Sequence, residues 1–479
     1  MKTKMLLLIP LLLIFIHQLD AKIVLPAVLG DNMVLQQQSK VKLWGNAARQ
    51  TKVRVTPSWN KNVYSVNSDD KGDFVIEIQT PEAGGPYQIS ITDSEEIILK
   101  NILIGEVWFC SGQSNMEMPV KGFSGQPVKN SLDAIISADA ATPIRMFTTD
   151  SENGKWVRQS SKQPQTDCKG RWMEHTSENV ANISAVGYFF ARYIQKTLHV
   201  PVGIIVSSWG GSRVEAWMSR EALEPFSAET DLSFLDNEER VKNPSQTPVV
   251  LYNGKIAPLT NFAIRGFLWY QGESNRNNAD LYTRLMPAFV KDLRTKWNIG
   301  DFPFYYVQIA PFNYDSREEA STVRLREVQE QNGRDIPNSG MVTTMDIGDS
   351  LLIHPADKET VGNRLAYWAL AETYNKSYVG YAPPTYQSME IKDSSILVSF
   401  NHAEQGICPI NTKLKGFEIA GNDKMFIPAT AIEKGGKVVV SSEKIEKPVA
   451  VRYLYKNFAE ASVFNVYGIP ASPFRTDKW

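Results

Sequence analysis

Cysteine and histidine are scarce in this 479-residue chain, net charge is nearly absent, and each shortage excludes a class of protein. Beyond the apolar start there are three cysteines, Cys110, Cys168 and Cys408. An odd count of three permits at most one disulfide, so no disulfide framework holds the fold. Cys110 lies inside an apolar run and reads as a core residue. The five histidines (His17, His175, His199, His354 and His402) show neither HExxH spacing nor a Cys/His pairing. No metal site is expected from them, and no cofactor. A formal net charge of -1 gives no electrostatic reason to expect nucleic acid or anionic membranes as partners. No long low-complexity tract is present. After the first residues no apolar run reaches membrane length, so no membrane anchor is expected in the mature chain.

What is present is ample material for large cores, with 43% hydrophobic residues, and a length that suggests about three domains. The N-terminus carries Lys2 and Lys4, then an apolar run from Met5 to Ile16, then Leu19-Asp20-Ala21 before Lys22. A basic start, a short apolar run and a small residue predict a signal peptide over 1–21, hence a secreted or periplasmic protein. Eleven Trp and eighteen Tyr suit stacking on sugars, although most such residues simply fill cores.

From Lys22 to about Lys100 the pattern has period two. Val41–Trp44, Lys52–Val55, Phe74–Ile78 and Tyr87–Ile91 read as strands, with turns at Asp70–Asp73 and Gly84-Gly85-Pro86, which predicts a small β-sandwich over 22–100. From 101 to 380 buried-type runs alternate with helical patterns, as in a parallel α/β unit. The runs are Ile102–Cys110, Val202–Val206, Phe267–Tyr270, Phe304–Val307 and Met341–Met345. One helix carries Ile183, Val186, Phe190, Ile194 and Leu198 on a face, and another carries Val361, Leu365 and Trp368. From 381 to 479 the pattern returns to β, with strands at Ile396–Phe400, Lys437–Val440 and Ala450–Tyr453.

The polar segments that follow these runs carry the functional signal. Ser111-Gly112-Gln113-Ser114-Asn115-Met116 follows the first and Ser207-Ser208-Trp209-Gly210-Gly211-Ser212 the second. Gln271-Gly272-Glu273-Ser274-Asn275 follows Tyr270, and Asp346-Ile347-Gly348-Asp349 follows Met345, with His354 soon after. In an open α/β sheet ligands bind beyond the carboxyl ends of the strands, so parallel strands bring all four segments to one edge. The residue types then fit acyl transfer: a hydroxyl nucleophile, a base, a carboxylate and oxyanion donors. Ser114 stands on a glycine-bearing strand-to-helix turn. His354 has a proton affinity suited to shuttling near neutrality. Gly211 offers a backbone N–H without a Cβ, Gln271 an amide, and Glu273 and Asp349 carboxylates. Taken singly, each has an ordinary reading: a capping serine, a packed loop histidine, a salt-bridged glutamate, a turn glycine.

At these residues the chain resembles the sialate O-acetylesterase family, within the SGNH/GDSL hydrolase superfamily and near the acetylxylan esterases. The stretches that carry the resemblance include Leu29–Gln36, Gly105–Glu117, Leu251–Leu259, Trp269–Asn275, Ile353-His354-Pro355 and Pro470–Asp477. The resemblance implies a three-layer α/β/α domain with a parallel sheet and β-rich flanks, and a secreted serine esterase removing O-acetyl groups from sugars or glycans. It implies Ser114 as nucleophile, His354 as base, and an oxyanion hole of the Ser114 and Gly211 N–H groups with Gln271. One departure from the superfamily concerns the orienting acid, commonly two or three positions before the histidine. Those positions are Leu352 and Leu351 here, and leucine accepts no proton. Related acetylxylan esterases use the glutamate of a Gln-Gly-Glu segment, which maps to Glu273. Glu273 is therefore the first choice, Asp349 the second, and a Ser–His dyad the third. Acetylated xylan or another glycan is an alternative substrate, and a non-catalytic sugar-binding protein the alternative class. Oligomeric state is not legible.

Overall fold

The computed structural model describes residues 22–152, 155–238, 240–410 and 413–479. The leader expected over 1–21 lies outside the described residues.

The centre is a seven-stranded sheet: β1 (Glu96–Gly112), β2 (Ile144–Thr148), β3 (Trp172–Glu174), β4 (Val202–Ser208), β5 (Gly266–Tyr270), β6 (Phe304–Val307) and β7 (Ser339–Val342). Their order is β3-β2-β4-β1-β5-β6-β7, parallel throughout except for β3, which runs antiparallel to β2. From β1 the chain builds first toward one edge and then toward the other. Strand order therefore reverses at β1, the position where open α/β sheets place their ligands.

Side chains alternate across these strands, and the two sets join different cores. Val107, Phe109, Phe267, Trp269, Phe304 and Tyr306 face one layer, while Trp108, Cys110, Leu268, Tyr270, Tyr305 and Val307 face the other. The helices used below are α1 (Ser114–Glu117), α2 (Ala185–Leu198), α3 (Ala279–Trp297), α4 (Val323–Asp335) and α5 (Lys358–Trp368). Apolar residues of α3 and α4 fill the first core, and those of α2 and α5 the second. The result is a three-layer α/β/α unit. Ser184 caps α2 by accepting the Gly187 N–H at 3.2 Å, and Asp357 caps α5 by accepting the Thr360 N–H at 3.0 Å.

The N-terminal region pairs Lys40–Asn46 with Asp73–Gln79 and packs this ribbon on a second sheet, into which β1 continues. β1 is 17 residues long, so the expected junction at 100/101 lies inside one strand. Two local expectations are corrected. Gly84-Gly85-Pro86 is not a turn but the irregular start of strand Gly84–Thr92, where the register shifts against β1. The last parallel strand ends at Val342 rather than Met345, because Thr344 leaves the ladder to donate its hydroxyl to the Gln308 carbonyl at 3.0 Å. The C-terminal region forms two four-stranded antiparallel sheets around a separate core that includes Ile396, Val440, Ile419 and Tyr453. Cys110, Cys168 and Cys408 are all free thiols.

Candidate active site

Beyond the carboxyl end of β1 the chain turns sharply into α1, and Gly112 makes the turn possible. Its φ is +141°, and a Cβ there would stand 2.1 Å from the Tyr270 carbonyl oxygen of β5. Ser114 follows at the first position of α1. Its hydroxyl donates to His354 Nε2 at 2.8 Å. The two residues are 240 positions apart in sequence, and the convergence of strand ends brings them together.

On the other side of the ring, His354 Nδ1–H donates to Gln126 Oε1 at 2.5 Å. Gln126 sits on a tight turn closed by mutual backbone bonds with Phe123, both at 3.0 Å. Phe123 packs edge-on against the imidazole, with ring centroids 5.4 Å apart. An amide oxygen can only accept, so the imidazole is held as the Nδ1–H tautomer with Nε2 facing the serine. Burial, and then the positive charge of Lys358, hold the imidazole pKa down to about 4, against a smaller opposing effect of Glu117.

The two carboxylates expected to orient His354 do other things. Glu273 is buried. Its Oε1 accepts from Asn115 Nδ2 at 2.7 Å, and its Oε2 has no hydrogen-bond partner. Desolvation raises its pKa. Asp349 accepts the backbone N–H groups of Leu351 and Leu352 at 2.7 and 3.0 Å, and so shapes the loop before His354 without touching the ring. Gln271 was expected as an oxyanion donor. It is fully buried, and its amide donates to Ser212 O at 3.0 Å and Asn275 Oδ1 at 2.7 Å. Its role is to tie β5 to the loop after β4.

The backbone donors are better placed. Among the described residues neither the Ser114 N–H nor the Gly211 N–H has an acceptor. Gly210 lies against the serine, with an ideal Cβ 3.5 Å from Ser114 Cβ, and Gly211 has φ +71° with open space where a side chain would stand. Glu117 secures this loop. Its carboxylate accepts the Gly210 N–H and a two-pronged bond from Arg158, at 2.6 and 3.2 Å. Arg158 also stacks over the Trp209 indole at 4.7 Å, with the buried Lys255–Asp150 pair, 2.5 Å apart, beside the same ring.

A cleft of about 420 Å³ runs alongside, lined by Glu117, Lys121, Phe123, Arg171, Met173 and Asn179 among others. That volume lies in the range of small-molecule sites, and the mixture of apolar faces with amide and charged groups suits a sugar. Among the described residues no group of three or more His, Cys, Asp or Glu could hold a metal ion, and no helix is long and apolar enough to cross a membrane.

Sequence reasoning missed Gln126, Glu117, Asn115 and Lys358. Glu117 and Asn115 adjoin Ser114 in the chain and were within reach of the same argument. Gln126 had only the surrounding Gly122, Gly125 and Pro127 as a turn signal.

Comparison with known proteins gives the family. The family described as "Carbohydrate esterase, sialic acid-specific acetylesterase" matches residues 104–371. A sialate O-acetylesterase of Mus musculus is 27% identical over 93% of this chain and 92% of its own length. The human sialate O-acetylesterase is 29% identical over 79% of this chain and 76% of its own. The crystal structure of a carbohydrate acetylesterase from Xanthomonas citri superposes with a TM-score of 0.86 at 31% identity, covering 96% of this chain and 100% of that one.

Proposed function

The chain belongs to the carbohydrate esterase family of sialic acid-specific acetylesterases and is a carboxylic ester hydrolase, and from that premise we propose that it cleaves sugar O-acetyl esters through a Ser114 acyl-enzyme. The observation that carries the mechanism is the 2.8 Å bond from the Ser114 hydroxyl to His354 Nε2, beside two backbone N–H groups that have no acceptor among the described residues. His354 takes the serine proton as Oγ attacks the acetyl carbonyl. The Ser114 and Gly211 N–H groups receive the oxyanion. As the C–O bond to the sugar breaks, the protonated imidazole gives its proton to the departing sugar oxygen, which leaves as a hydroxyl. Water, deprotonated by the same ring, releases acetate. The sugar lies in the cleft beside Phe123.

The preferred substrate is a 9-O-acetylated sialic acid, as in the relatives of that name. Acetylated xylan or another glycan is the second reading, favoured by the wider title of the Xanthomonas citri enzyme. We place the catalytic unit at about 101–380 with β-rich flanks. Export with cleavage near Lys22 is part of the proposal, and N-terminal sequencing of the protein from its host decides it.

Ser114→Ala tests the mechanism. It leaves the fold intact and lowers p-nitrophenyl acetate hydrolysis by several orders of magnitude, against about 10⁶ for loss of the serine in a well-studied protease. Retention of a tenth of the activity places the nucleophile elsewhere. Acetate release from 9-O-acetyl sialic acid against acetylated xylan separates the two substrates.

A further inference from the structure

Directly behind the Ser114–His354 pair lies a chain of three buried polar side chains from three separate elements. Lys358, in the first turn of α5, is fully buried and donates Nζ–H to Asn115 Oδ1 at 2.5 Å. The other end of the Asn115 amide donates to Glu273 Oε1 at 2.7 Å and to the Ile353 carbonyl at 3.2 Å. Asn115 is the residue after the nucleophile, and Ile353 is the residue before the base. One amide therefore joins the nucleophile's helix, the base's loop, the ammonium of α5 and the carboxylate beyond β5. Its orientation is dictated, with oxygen toward the ammonium and nitrogen toward the carboxylate.

A buried lysine is rare unless it is paired, and Lys358 meets its counter-charge only through the intervening amide. Among the described residues its remaining cation contact is the face of Tyr270, 5.7 Å from Nζ to the ring centroid. The separation leaves the ammonium incompletely neutralised at the place where it faces the imidazole.

We propose that Lys358, held through Asn115 opposite Glu273, is a positioning residue for the esterase reaction: it anchors the loop bearing His354 and puts a positive charge behind the imidazole that keeps Nε2 free to accept a proton in acid. This rests on His354 being the base. It gives the buried glutamate a role other than orienting the histidine.

The charged groups around the ring fit this assignment. Glu117 of α1 opposes Lys358, but its carboxylate is paired with Arg158. Asp357, next to Lys358, is paired with Lys129 at 3.2 Å and caps α5. Asp346 is held by Arg364 at 2.6 Å, Asp349 by backbone N–H groups, and Arg326 acts on Glu273 from the far side. Gln126 and Phe123, which touch the ring, are neutral. Lys358 is thus the cation that burial leaves facing His354. Its own pKa is lowered to about 7, by burial against the pull of Glu273 and Asp357, so it is charged throughout the acidic range where the imidazole titrates.

The test is the pH profile of kcat/KM with p-nitrophenyl acetate for Lys358→Met and Lys358→Arg, with folding checked by circular dichroism. A nearby like charge disfavours the protonated imidazole and lowers its pKa. Lys358→Met therefore moves the acid limb up by about one pH unit or more, and Lys358→Arg leaves it near the wild-type position. Glu117→Gln, which removes the opposing charge, moves the limb down. If Lys358→Met fails to fold, Lys358→Gln, which keeps a polar group against Asn115, carries the same comparison, read by the pH profile and by NMR titration of His354. An acid limb unmoved in Lys358→Met, or a His354 midpoint at or above the ordinary ~6.5, overturns it. Loss of activity in Ser114→Ala is read separately, so failure here leaves the acyl-enzyme reading standing.

Discussion

At His354 an amide oxygen stands where serine hydrolases more often place a carboxylate. Gln126 Oε1 selects the same tautomer that an aspartate would, because it too can only accept from Nδ1–H. It differs in charge. A carboxylate stabilises the imidazolium that forms as the serine attacks, whereas an amide dipole contributes only a partial charge. The consequence is a weaker base than a carboxylate partner would give, beside the burial and the Lys358 charge that hold the imidazole pKa down to about 4. In the proposed mechanism activity needs neutral His354, so kcat/KM is expected to fall as pH drops through that value and to be fully developed by pH 6. Two substitutions separate orientation from charge. Gln126→Leu removes the acceptor and lowers kcat about 10- to 100-fold, in the range of a positioned acid–base group. Gln126→Glu keeps an acceptor and adds a negative charge, which favours the imidazolium and moves the acid limb up by about one to two pH units. Steady-state pH profiles of both variants check this. Unchanged kcat in the first together with an unchanged limb in the second removes Gln126 from the machinery.

Two glycines at the ends of neighbouring strands show how the elements divide stability from activity. Gly112 ends β1 within 2.1 Å, at an added Cβ, of the β5 backbone, which cannot move without opening the central sheet. Gly112→Ala is therefore expected to cost about 3 kcal/mol, the upper end of overpacking, and to lower the melting temperature by several degrees. Gly211 has φ +71° and open space around its Cβ position, so Gly211→Ala meets only the left-handed penalty of about 1–2 kcal/mol. Relaxation of that strain turns the N–H away from the oxyanion, and kcat falls by up to the ~10²-fold seen for a lost donor. Thermal melts and kcat of the two variants should thus rank in opposite orders. The same elements explain what was legible in the sequence. Ser114, Gly211 and His354 could be singled out because each follows a buried run, and parallel strands put such segments on one edge. Gln271 and Glu273 were singled out for the same reason, but a strand-end position does not say which way a side chain turns, and theirs bond Ser212, Asn275 and Asn115. Gln126 lies on a turn outside the sheet, where no periodicity points to the site. Lys358 begins a helix, where a lysine reads as solvated until packing on Tyr270 and Asn115 is seen.

Across the whole molecule, the C-terminal β region is fastened to the catalytic unit at the loop that backs the His354 segment. Arg326 of α4 is fully buried and donates to four carbonyls: Ile309 and Ala310 after β6, both at 3.2 Å, and Lys456 and Asn457 of the C-terminal region, at 3.0 and 2.9 Å. Asn457 in turn accepts the Thr322 N–H and hydroxyl at 3.1 and 2.9 Å and donates to the Ser316 carbonyl at 2.9 Å. The segment so held continues to the His354 loop through the Asn313 N–H, 3.4 Å from Ser350 O. Among the described residues no carboxylate bonds the Arg326 guanidinium, and burial holds its pKa down to about 10, so it is charged at working pH and neutralised by carbonyl dipoles. Arg326→Met fills similar volume but strips four carbonyls, three of them buried, of a charged donor. Each unsatisfied group costs roughly 1–3 kcal/mol, and partial relaxation makes about 3–5 kcal/mol a reasonable total, similar to breaking a buried ion pair. The variant is expected to melt at least several degrees lower, with proteolysis entering first near residues 312–321, and to lose kcat as the His354 loop loosens. Arg326→Lys, with one compact charge in place of a planar fork, recovers part of the stability but cannot reach all four carbonyls. A melting temperature within one degree of wild type for Arg326→Met would show that the C-terminal region is held by its apolar contacts, and that the guanidinium is a passenger between them.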